Sequence, residues 1–432
     1  MNQAKPMMTR RDFVRRTTAA SSAVGLGLAF PNVLTRPALG AAGTAGIRVG
    51  VIGVGGQGKS HLNAITGNIV AICDVDKQIL ASARAMVEKK LNRAPATFSD
   101  YRKMLESKEV DAVLIATPDH WHALPAIHAC QAGKDVYVEK PLTLTVHEGW
   151  AMIKAARRNN RIVQTGSQQR SWPDEKFRRA AEYVRSGRIG DVKTVRVGLP
   201  GVNWTKDPAV PDTEPPPELD YDFWLGPAPK RPYNKHRVHY YFRFFWDYSG
   251  GQMTNWGAHH LDITQWALNM DESGPVQIEA RAEYDQEKRY EAPSWFDITY
   301  TYANGVQVLC GQSHRIGTTF EGTDGLIYVD RGKLESTVPD VLKQPLADNE
   351  TRLEVSRNHH QNWFDSIQSR KPPICDVAIG HRSATVCHLG NIAARSGHKI
   401  KWDPLKEQII GDAEASRMLS YAYRAPWKLP EA

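Results

Sequence analysis

Residues 47–58 read Ile-Arg-Val-Gly-Val-Ile-Gly-Val-Gly-Gly-Gln-Gly, and this stretch decides the fold. Its first half is a short apolar run with β-branched residues, which is typical of a buried strand. Its second half is the pattern G-x-G-x-x-G, and residues 59–65 after it have helical character. A strand, this glycine pattern and a helix in that order predict the first unit of a dinucleotide-binding Rossmann fold.

Each glycine of the pattern has its own physical role in such a unit. Gly53 allows the tight turn, Gly55 lets the backbone approach a pyrophosphate, and Gly58 lets the helix pack closely on the strand. Backbone N–H groups at the helix N-terminus then face the phosphates. We therefore predict that Gly53, Gly55, Gln57 and Gly58 form the phosphate-binding turn.

A second apolar run, residues 69–73, ends at Asp74. This acid follows the glycine pattern at close to the spacing of ~20 residues expected for the residue that binds the adenosine ribose. A carboxylate there accepts hydrogen bonds from the ribose hydroxyls and repels a 2′-phosphate. The sequence therefore predicts NAD as the cofactor in preference to NADP.

Two further predicted strands, residues 111–116 and 135–138, end in polar clusters. The first runs into Thr117-Pro118-Asp119-His120-Trp121-His122 and the second into Glu139-Lys140-Pro141. Ligands bind at the carboxyl ends of strands in an open parallel sheet, so we expect both clusters beside the cofactor. With the helical stretches between the strands, these features predict an α/β fold whose N-terminal Rossmann domain, a doubly wound parallel sheet, covers residues 45–166.

The alternation of strands and helices stops near residue 167. It is replaced by longer strand-like runs at residues 192–198, 276–284, 296–302, 306–312 and 325–329. Such a series predicts a large, open, mostly antiparallel sheet. We therefore expect residues 167–432 to form an α+β domain that binds the substrate and makes the contacts between subunits.

Residues 249–262 read Ser-Gly-Gly-Gln-Met-Thr-Asn-Trp-Gly-Ala-His-His-Leu-Asp. If this segment is one helix, spacings of four and three place Asn255, His259 and Asp262 on the same face. These are residue types that orient, accept or donate protons. The segment is therefore the candidate source of acid and base chemistry in the second domain.

An aromatic run, residues 240–246, lies directly before the glycine-rich segment. Aromatic faces with an occasional arginine suit carbohydrate rings, whose C–H faces stack while their hydroxyls need polar partners. Arg243 and Trp246 are therefore substrate-binding candidates. The alternative is that the run forms core or a subunit interface, which is the more frequent use of such residues.

These motifs together resemble those of the Gfo/Idh/MocA family, which includes glucose-fructose oxidoreductases and inositol dehydrogenases. The resemblance covers nearly the whole chain after the first 40 residues, and its most specific element is Glu139-Lys140-Pro141. It implies an NAD-dependent oxidoreductase that transfers a hydride between a sugar, glycoside or polyol carbon and the nicotinamide. It also implies a homodimer or homotetramer.

The resemblance further implies roles for individual residues. Glu139 would lie near the nicotinamide ribose, and Lys140 would reach the hydroxyl that is oxidised. The segment with Gln168 falls where the family lines the nicotinamide pocket. The residues expected to bind the cofactor beyond the glycine turn and Asp74 are Thr117, Pro118, His122, Glu139 and Gln168.

The sequence departs from the family at Asn255, where relatives carry an acid. Asparagine can orient a neighbour or form hydrogen bonds, but it cannot take a proton. We therefore assign proton abstraction to His259, whose ordinary pKa of ~6.5 suits a base near neutrality. Lys140 then stabilises the developing alkoxide. Lys140 as the base stays open as the alternative, and Asp262 is expected to be a structural acid at the substrate site.

Two other functions compete with the oxidoreductase hypothesis. The first is an NAD-dependent glycosidase, which would oxidise a sugar transiently to eliminate its substituent. Relatives of that kind carry a Tyr-Pro-Thr-His type element, which this sequence lacks. The second is a non-catalytic NAD or sugar binding protein, and Asn255 in place of the acid is the feature that favours it.

Residues 1–40 are expected to be an export signal. Thr9-Arg10-Arg11-Asp12-Phe13 is followed by a weakly apolar run at residues 19–30 and by small residues at 38–42, which resembles a twin-arginine signal. That route carries proteins already folded. We therefore expect a periplasmic protein with tightly bound NAD, loaded before export and recycled by a second sugar or electron acceptor.

Composition excludes several classes of partner. The chain has 432 residues and a net charge of +8, but the leader holds six basic residues and one acid, which leaves +3 for the remainder. That balance gives no electrostatic footprint for nucleic acid or an anionic membrane.

The five cysteines are scattered without a C-x-x-C pair, and the histidines lack the spacing of metal ligands. We therefore predict no metal site and no disulfide framework.

Overall fold

The computed structural model describes residues 46–65, 68–204 and 208–430. The predicted leader, residues 1–40, lies outside the described residues, as does residue 45, where the Rossmann domain is predicted to begin. In the described part of the chain, no helix is long and apolar enough to cross a membrane.

The first sheet is built from the N-terminal part of the described chain. Its strands are β1 (Arg48–Ile52), β2 (Asn68–Cys73), β3 (Ala96–Phe98), β4 (Ala112–Ile115), β5 (Asp135–Val138) and β6 (Val163–Thr165). They lie in the order β3-β2-β1-β4-β5-β6, and all described pairs are parallel. The helices between them are α1 (Gly56–Ala64), α2 (Lys77–Leu91), α3 (Tyr101–Leu105), α4 (Ala123–Gln131) and α5 (Val146–Arg158). The predicted doubly wound parallel sheet is confirmed.

The second sheet has nine strands. They are β7 (Val192–Gly198), β8 (Gln277–Glu283), β9 (Trp295–Thr301), β10 (Gln307–Gly311), β11 (Gly317–Gly322), β12 (Leu326–Val329), β13 (Leu334–Ser336), β14 (Ile400–Asp403) and β15 (Gln408–Ile409). Their order is β13-β12-β11-β7-β10-β9-β8-β14-β15. β7 and β10 pair in parallel, and the other described pairs are antiparallel. The predicted large, mostly antiparallel sheet is confirmed.

Seven further helices follow β6 in the described chain. They are α6 (Lys176–Arg185), α7 (Tyr221–Leu225), α8 (Gly251–Asn255), α9 (Gly257–Ala267), α10 (His359–Ser369), α11 (Val377–Ser396) and α12 (Ala413–Arg417). Short 3-10 turns lie at Asp119–Trp121, Gln168–Ser171 and Tyr241–Phe244. Helices α6, α9 and α11 bury their apolar residues with one face of this sheet in a common core.

Both faces of the first sheet are buried. Val113 and Ile115 of β4 enter one hydrophobic core, whereas Leu114 between them enters another. The second of these cores also holds Trp363 and Phe364 of α10, which comes from late in the chain. Burial on both sides explains why β4 is wholly apolar, since alternate residues of a strand point to opposite faces.

β11 is a strand that the sequence did not predict. It reads Gly-Thr-Thr-Phe-Glu-Gly, and only Phe320 in it is strongly apolar. It nevertheless lies between β7 and β12 and pairs with both in antiparallel register. Backbone hydrogen bonds to β7 and β12 hold this strand in place. Such bonds do not depend on the type of side chain, so they leave no hydrophobic pattern in the sequence.

A buried ion network joins three segments of the chain. Arg170, from the turn after β6, donates to both carboxylate oxygens of Asp262 on α9, with Nε–Oδ2 at 2.9 Å and Nη2–Oδ1 at 2.9 Å. Its Nη2 also donates to Asp271 Oδ1 at 2.7 Å, and Ser383 Oγ of α11 donates to Asp262 Oδ1 at 2.7 Å. The Arg170 and Asp262 side chains are each only 1% exposed. Such paired and fully bonded charges hold the three segments in one arrangement.

We expect Arg170→Met to lower the free energy of unfolding by about 3–5 kcal/mol, because it leaves the Asp262 carboxylate buried without its counter-charge. The double variant Arg170→Met/Asp262→Asn removes both charges and should recover part of that loss. The matched control is Arg315→Met, whose partner Glu335 is exposed. Urea denaturation measures all three variants, and a loss for Arg170→Met no larger than that of the control contradicts the structural role of the network.

Candidate active site

A cavity of about 650 Å³ opens where the strands of the first sheet end. It contains the side chains or backbone of most residues that the sequence predicted to be functional. These are Gly53, Gly55, Gln57, Asp74, Thr117, Pro118, His122, Glu139, Lys140, Gln168, Arg243, Asn255 and His259. Three predicted residues, Gly58, Trp246 and Asp262, do not line it.

The glycine turn after β1 leaves no room for side chains at two positions. Gly53 has a φ of +79°, and a Cβ there would lie 2.8 Å from the Ala116 carbonyl carbon. A Cβ at Gly58 would lie 2.0 Å from the Gly53 carbonyl oxygen. Gly58 therefore brings α1 against the turn, while the turn itself faces the cavity.

The residues around the turn fit a nicotinamide dinucleotide. A Cβ at Gly55 would contact only the Ile79 side chain, at 3.6 Å, so the backbone there is open to close approach by a phosphate. α1 begins at Gly56 and presents its first N–H groups at the same place. Farther along the cavity, Thr117 Oγ1 and both polar atoms of the Gln169 side chain are buried without a partner among the described residues. Buried polar groups are normally hydrogen-bonded, and a bound dinucleotide has donors and acceptors that could serve these atoms.

Asp74 stabilises the glycine turn while it lines the cavity. Its Oδ2 accepts a hydrogen bond from Val54 N at 2.9 Å, and its Oδ1 accepts one from Asp76 N at 3.0 Å. Burial raises the pKa of Asp74, and these two hydrogen bonds oppose that rise. Asp76, which the sequence analysis missed, also lines the cavity and caps α2 through Gln78 N and Ile79 N.

Glu139 is held as an ionised carboxylate at the end of β5. Its Oε1 lies 2.8 Å from His61 Nε2 and accepts a hydrogen bond from Gln168 Nε2 at 2.5 Å. Burial by itself raises the pKa of Glu139, but the hydrogen bond and charge of His61, together with Lys140, lower it to about 2. His61 is in turn held by His360, with 2.8 Å between Nδ1 and Nε2. The carboxylate is therefore fixed in position and in charge.

Lys140 reaches across the cavity to Asn255 at the end of α8. Its Nζ donates to Asn255 O at 2.9 Å and to Asn255 Oδ1 at 3.2 Å. The Asn255 amide is oriented by its Nδ2, which donates to Gln252 Oε1 at 2.9 Å. Burial lowers the pKa of Lys140, and Arg243 and Arg331 lower it further, whereas Glu139 and Asp119 raise it. Asn255 accepts hydrogen bonds from Lys140 but carries no charge. An aspartate at this position would also stabilise the ammonium by its negative charge.

His259 lies in the same cavity as Lys140, and neither of its ring nitrogens bonds to any residue that the structure describes. Burial holds the pKa of His259 well below its ordinary value, and the positive charges of Lys140 and Arg331 lower it further. Its imidazole is therefore neutral at pH 7 and has a lone pair free to accept a proton. The Nδ1 atom is enclosed by protein, which leaves Nε2 toward the cavity.

The segment that carries Asn255, His259 and Asp262 is two helices rather than one. α8 ends at Asn255 and α9 begins at Gly257, with Trp256 between them. The break turns Asn255 and His259 into the cavity, while Asp262 points into the core. Asp262 is a structural acid, as predicted, but it does not line the predicted substrate site, because its carboxylate is used by Arg170 and Ser383.

The structure places Trp246 outside the cavity in which the sequence predicted it. It lines a neighbouring cavity of about 390 Å³, beside Asp247 and His388. Its ring lies under the guanidinium of Arg395, with 4.6 Å between that group and the ring centroid. The aromatic run turns at Tyr241–Phe244, so Arg243 and Trp246 face different cavities.

His122 lines the cavity but is committed to the protein backbone. Its Nδ1 lies 2.6 Å from Pro141 O, and its Nε2 lies 3.0 Å from Thr117 O. The ring therefore joins the segments that follow β4 and β5. It supports the predicted cofactor site by holding Thr117 and Lys140-Pro141 in place.

Asp119 and Arg331 are cavity residues that the sequence analysis did not select. Asp119 is buried, accepts a hydrogen bond from Ser249 Oγ, and is close enough to Lys140 to raise that residue's pKa. Asp119 belongs to the cluster at residues 117–122 that follows β4, so its position at the end of a strand could have identified it as a site residue. Arg331 follows β12, in a segment without a motif, and only the folded chain brings it to the site.

Comparison with known proteins identifies the family of both parts of the chain. Residues 47–167 match the family described as "Oxidoreductase family, NAD-binding Rossmann fold". Residues 181–429 match "Oxidoreductase family, C-terminal alpha/beta domain". These are the two domains of the Gfo/Idh/MocA proteins.

A curated relative and two solved structures show the range of similar proteins. A glycosyl hydrolase family 109 protein from Shewanella pealeana is 33% identical over 154 residues, which are 34% of this chain and 33% of that protein. The match therefore spans about a third of the relative's length. The WlbA dehydrogenase of Bordetella pertussis, solved with NADH and UDP-GlcNAcA, has a TM-score of 0.62 at 21% identity over 83% of this chain and 99% of that one.

The second solved structure is the aldose-aldose oxidoreductase of Caulobacter crescentus in complex with glycerol. It has a TM-score of 0.61 at 18% identity, over 82% of this chain and 99% of that one. At such identities the solved structures show a shared fold and no more. The C-terminal family match alone covers more than half of the 432 residues, and the chain therefore belongs to the Gfo/Idh/MocA family of oxidoreductases.

Proposed function

We propose that this protein oxidises a hydroxyl group of a carbohydrate or polyol, with a nicotinamide dinucleotide as hydride acceptor. The observation that carries the proposal is that Lys140 and His259 lie in one cavity with the glycine turn. A neutral imidazole can accept the proton of a hydroxyl, and a lysine can stabilise the alkoxide that forms. A bound nicotinamide dinucleotide would supply the acceptor for the hydride that leaves the substrate carbon.

The proton of the substrate hydroxyl goes to His259. Its imidazole is neutral, and Nε2 is the nitrogen that protein atoms do not enclose. Lys140, as an ammonium, directs two of its hydrogens to Asn255 O and Oδ1. Its third hydrogen then bonds to the substrate oxygen and stabilises the alkoxide as it forms. Asn255 acts as a positioning residue for Lys140.

The proposal extends to the identity and retention of the cofactor. Asp74 lines the cavity at the end of β2, where a carboxylate disfavours a 2′-phosphate, and this supports NAD over NADP. The twin-arginine pattern at residues 9–13 supports export to the periplasm with NAD already bound. Alternate half-buried side chains along β9 support a dimer or tetramer formed through the second sheet.

An NAD-dependent glycosidase is the second candidate. The observation that favours it is the match to a glycosyl hydrolase family 109 protein, over about a third of that protein. Such an enzyme would begin with the same proton and hydride removal, and would then eliminate the sugar's substituent and restore the hydride. The two candidates therefore share the cavity and differ in their products.

We expect the purified protein to reduce NAD in the presence of a carbohydrate substrate, and Lys140→Met and His259→Asn each to lower kcat/KM by roughly 100-fold. The matched controls are Lys399→Met and His398→Asn, whose side chains are exposed and paired with Glu279 and Asp412. Assays of NADH formation and of product structure by mass spectrometry read out the result. Hydrolysed sugar without net NADH supports the glycosidase, and full activity in either site variant contradicts the proposed proton path.

We expect Asn255→Asp to move the alkaline, falling limb of the kcat/KM profile to higher pH. The new carboxylate would lie beside Lys140 Nζ and raise its pKa, so the ammonium would persist to higher pH. Asn255→Ala, which adds no charge, is the control and should not move that limb upward. The opposite result is a profile with a rising limb near neutrality that Asn255→Asp moves. That result would identify Lys140 as the base and contradict the assignment to His259.

A further inference from the structure

Arg331 lines the active-site cavity beside the proposed proton acceptor. Its guanidinium lies between two tryptophan rings, 4.6 Å from the centroid of Trp256 and 5.5 Å from that of Trp172. In the part of the chain that the structure covers, no carboxylate pairs with its guanidinium, and burial lowers its pKa. Stacking occupies the faces of a guanidinium, so its N–H edges are left for a ligand.

Arg243 is a second arginine of the same cavity with unused donors. It lies over the rings of Tyr240 and Phe242, at 3.9 Å and 5.4 Å from their centroids. Its Nη1 is buried and makes no hydrogen bond within residues 46–65, 68–204 and 208–430. The nearby acid, Asp119, already accepts a hydrogen bond from Ser249.

This environment differs from that of three arginines elsewhere in the described fold. Arg170 bonds to Asp262 and Asp271, Arg188 bonds to Glu350, and Arg178 bonds to two glutamates. In these places the fold supplies a carboxylate for the guanidinium. At the cavity it supplies aromatic rings instead, which orient the cation and do not neutralise it.

The charges around the reacting group therefore do not balance. Arg243 and Arg331 both lower the pKa of Lys140, so all three cations act on the same region. Two acids face these three cations, Glu139 and Asp119, and both raise the pKa of Lys140, so one positive charge is left over. An anion bound between the arginines would restore the balance. The dinucleotide phosphates have their own place at the glycine turn, so this anion belongs to the substrate.

We propose that the substrate is an anionic sugar, whose carboxylate or phosphate is bound by Arg331 and Arg243 while its hydroxyl lies at Lys140 and His259. This inference rests on the proposed function, since it names the substrate class of the same site. Arginine suits the task because its fork of N–H donors matches the oxygens of either anion. A neutral sugar would leave the half-buried Arg243 and the more exposed Arg331 without an anionic partner, and would bind more weakly.

The test is calorimetric binding to the NAD-loaded full-length protein, with glucose, glucuronate and glucose 6-phosphate as probes. We expect at least one charged probe to bind about tenfold or more tightly than glucose, as one charge-assisted hydrogen-bond pair provides. Tighter binding of glucuronate assigns the anion to a carboxylate, and tighter binding of glucose 6-phosphate assigns it to a phosphate. Equal affinities for all three probes overturn the proposal.

Variants of the two arginines test whether these residues cause the preference for charged probes. Arg331→Gln and Arg243→Gln should each reduce the ratio of charged to neutral affinity by about tenfold, and Arg331→Lys should retain part of it because the charge remains. Arg395→Gln is the matched control, since Arg395 also stacks on a tryptophan but lines the neighbouring cavity. An unchanged ratio in both glutamine variants overturns the proposal. An equal loss of NADH affinity also overturns it, because the arginines would then serve the cofactor.

Turnover assays on the same samples separate this inference from the proposed function. Arginine-dependent binding of a charged probe without oxidation of any of the three sugars supports the anion site and contradicts the oxidoreductase proposal for these sugars. Oxidation of glucose with no preference for charged probes supports the oxidoreductase and contradicts the anion site.

Discussion

The buried ion network of Arg170, Asp262 and Asp271 is the constraint on which the active-site cavity depends. Arg170 directly follows Gln168 and Gln169, which line the cavity, and Asp262 lies three residues after His259, which also lines it. The bidentate bonds between Arg170 and Asp262 thus join the two segments that carry these lining residues. A buried charge pair tolerates little change in geometry, because any separation leaves desolvated charges without compensation.

Inside this cavity, His259 and Lys140 have different surroundings, which favour different protonation states. His259 is buried near cations and is therefore neutral, whereas Lys140 lies between the carbonyl and amide oxygens of Asn255. One group is prepared to accept a proton and the other to donate a hydrogen bond. Burial lowers the pKa of His259 most, and the charges of Lys140 and Arg331 lower it further. If Arg331 binds a substrate anion as proposed, that anion would also affect the proposed proton transfer to His259.

Much of this arrangement follows from local patterns in the sequence. The turn at Gly53–Gly58 and the placement of Glu139 and Lys140 at a strand end could be predicted, because glycine conformation and sheet polarity act over a few residues. The break at Trp256 could not, because a helical spacing rule assumes a continuous helix. β11 was missed because its pairing uses backbone groups, and Arg331 because its role depends on contacts almost 200 residues away along the chain.

The nucleotide content of the purified protein tests most directly whether the glycine turn and its cavity hold NAD. The full-length chain would be purified without added nucleotide and denatured, and released NAD and NADP would be measured by mass spectrometry. We expect close to one NAD per chain. We also expect an empty protein for Gly55→Val, which fills the open space at the turn, and a loaded one for Gly46→Val, where a Cβ has no neighbour within 4 Å. A wild-type protein that carries no nucleotide and binds none when NAD is added would contradict the central claim.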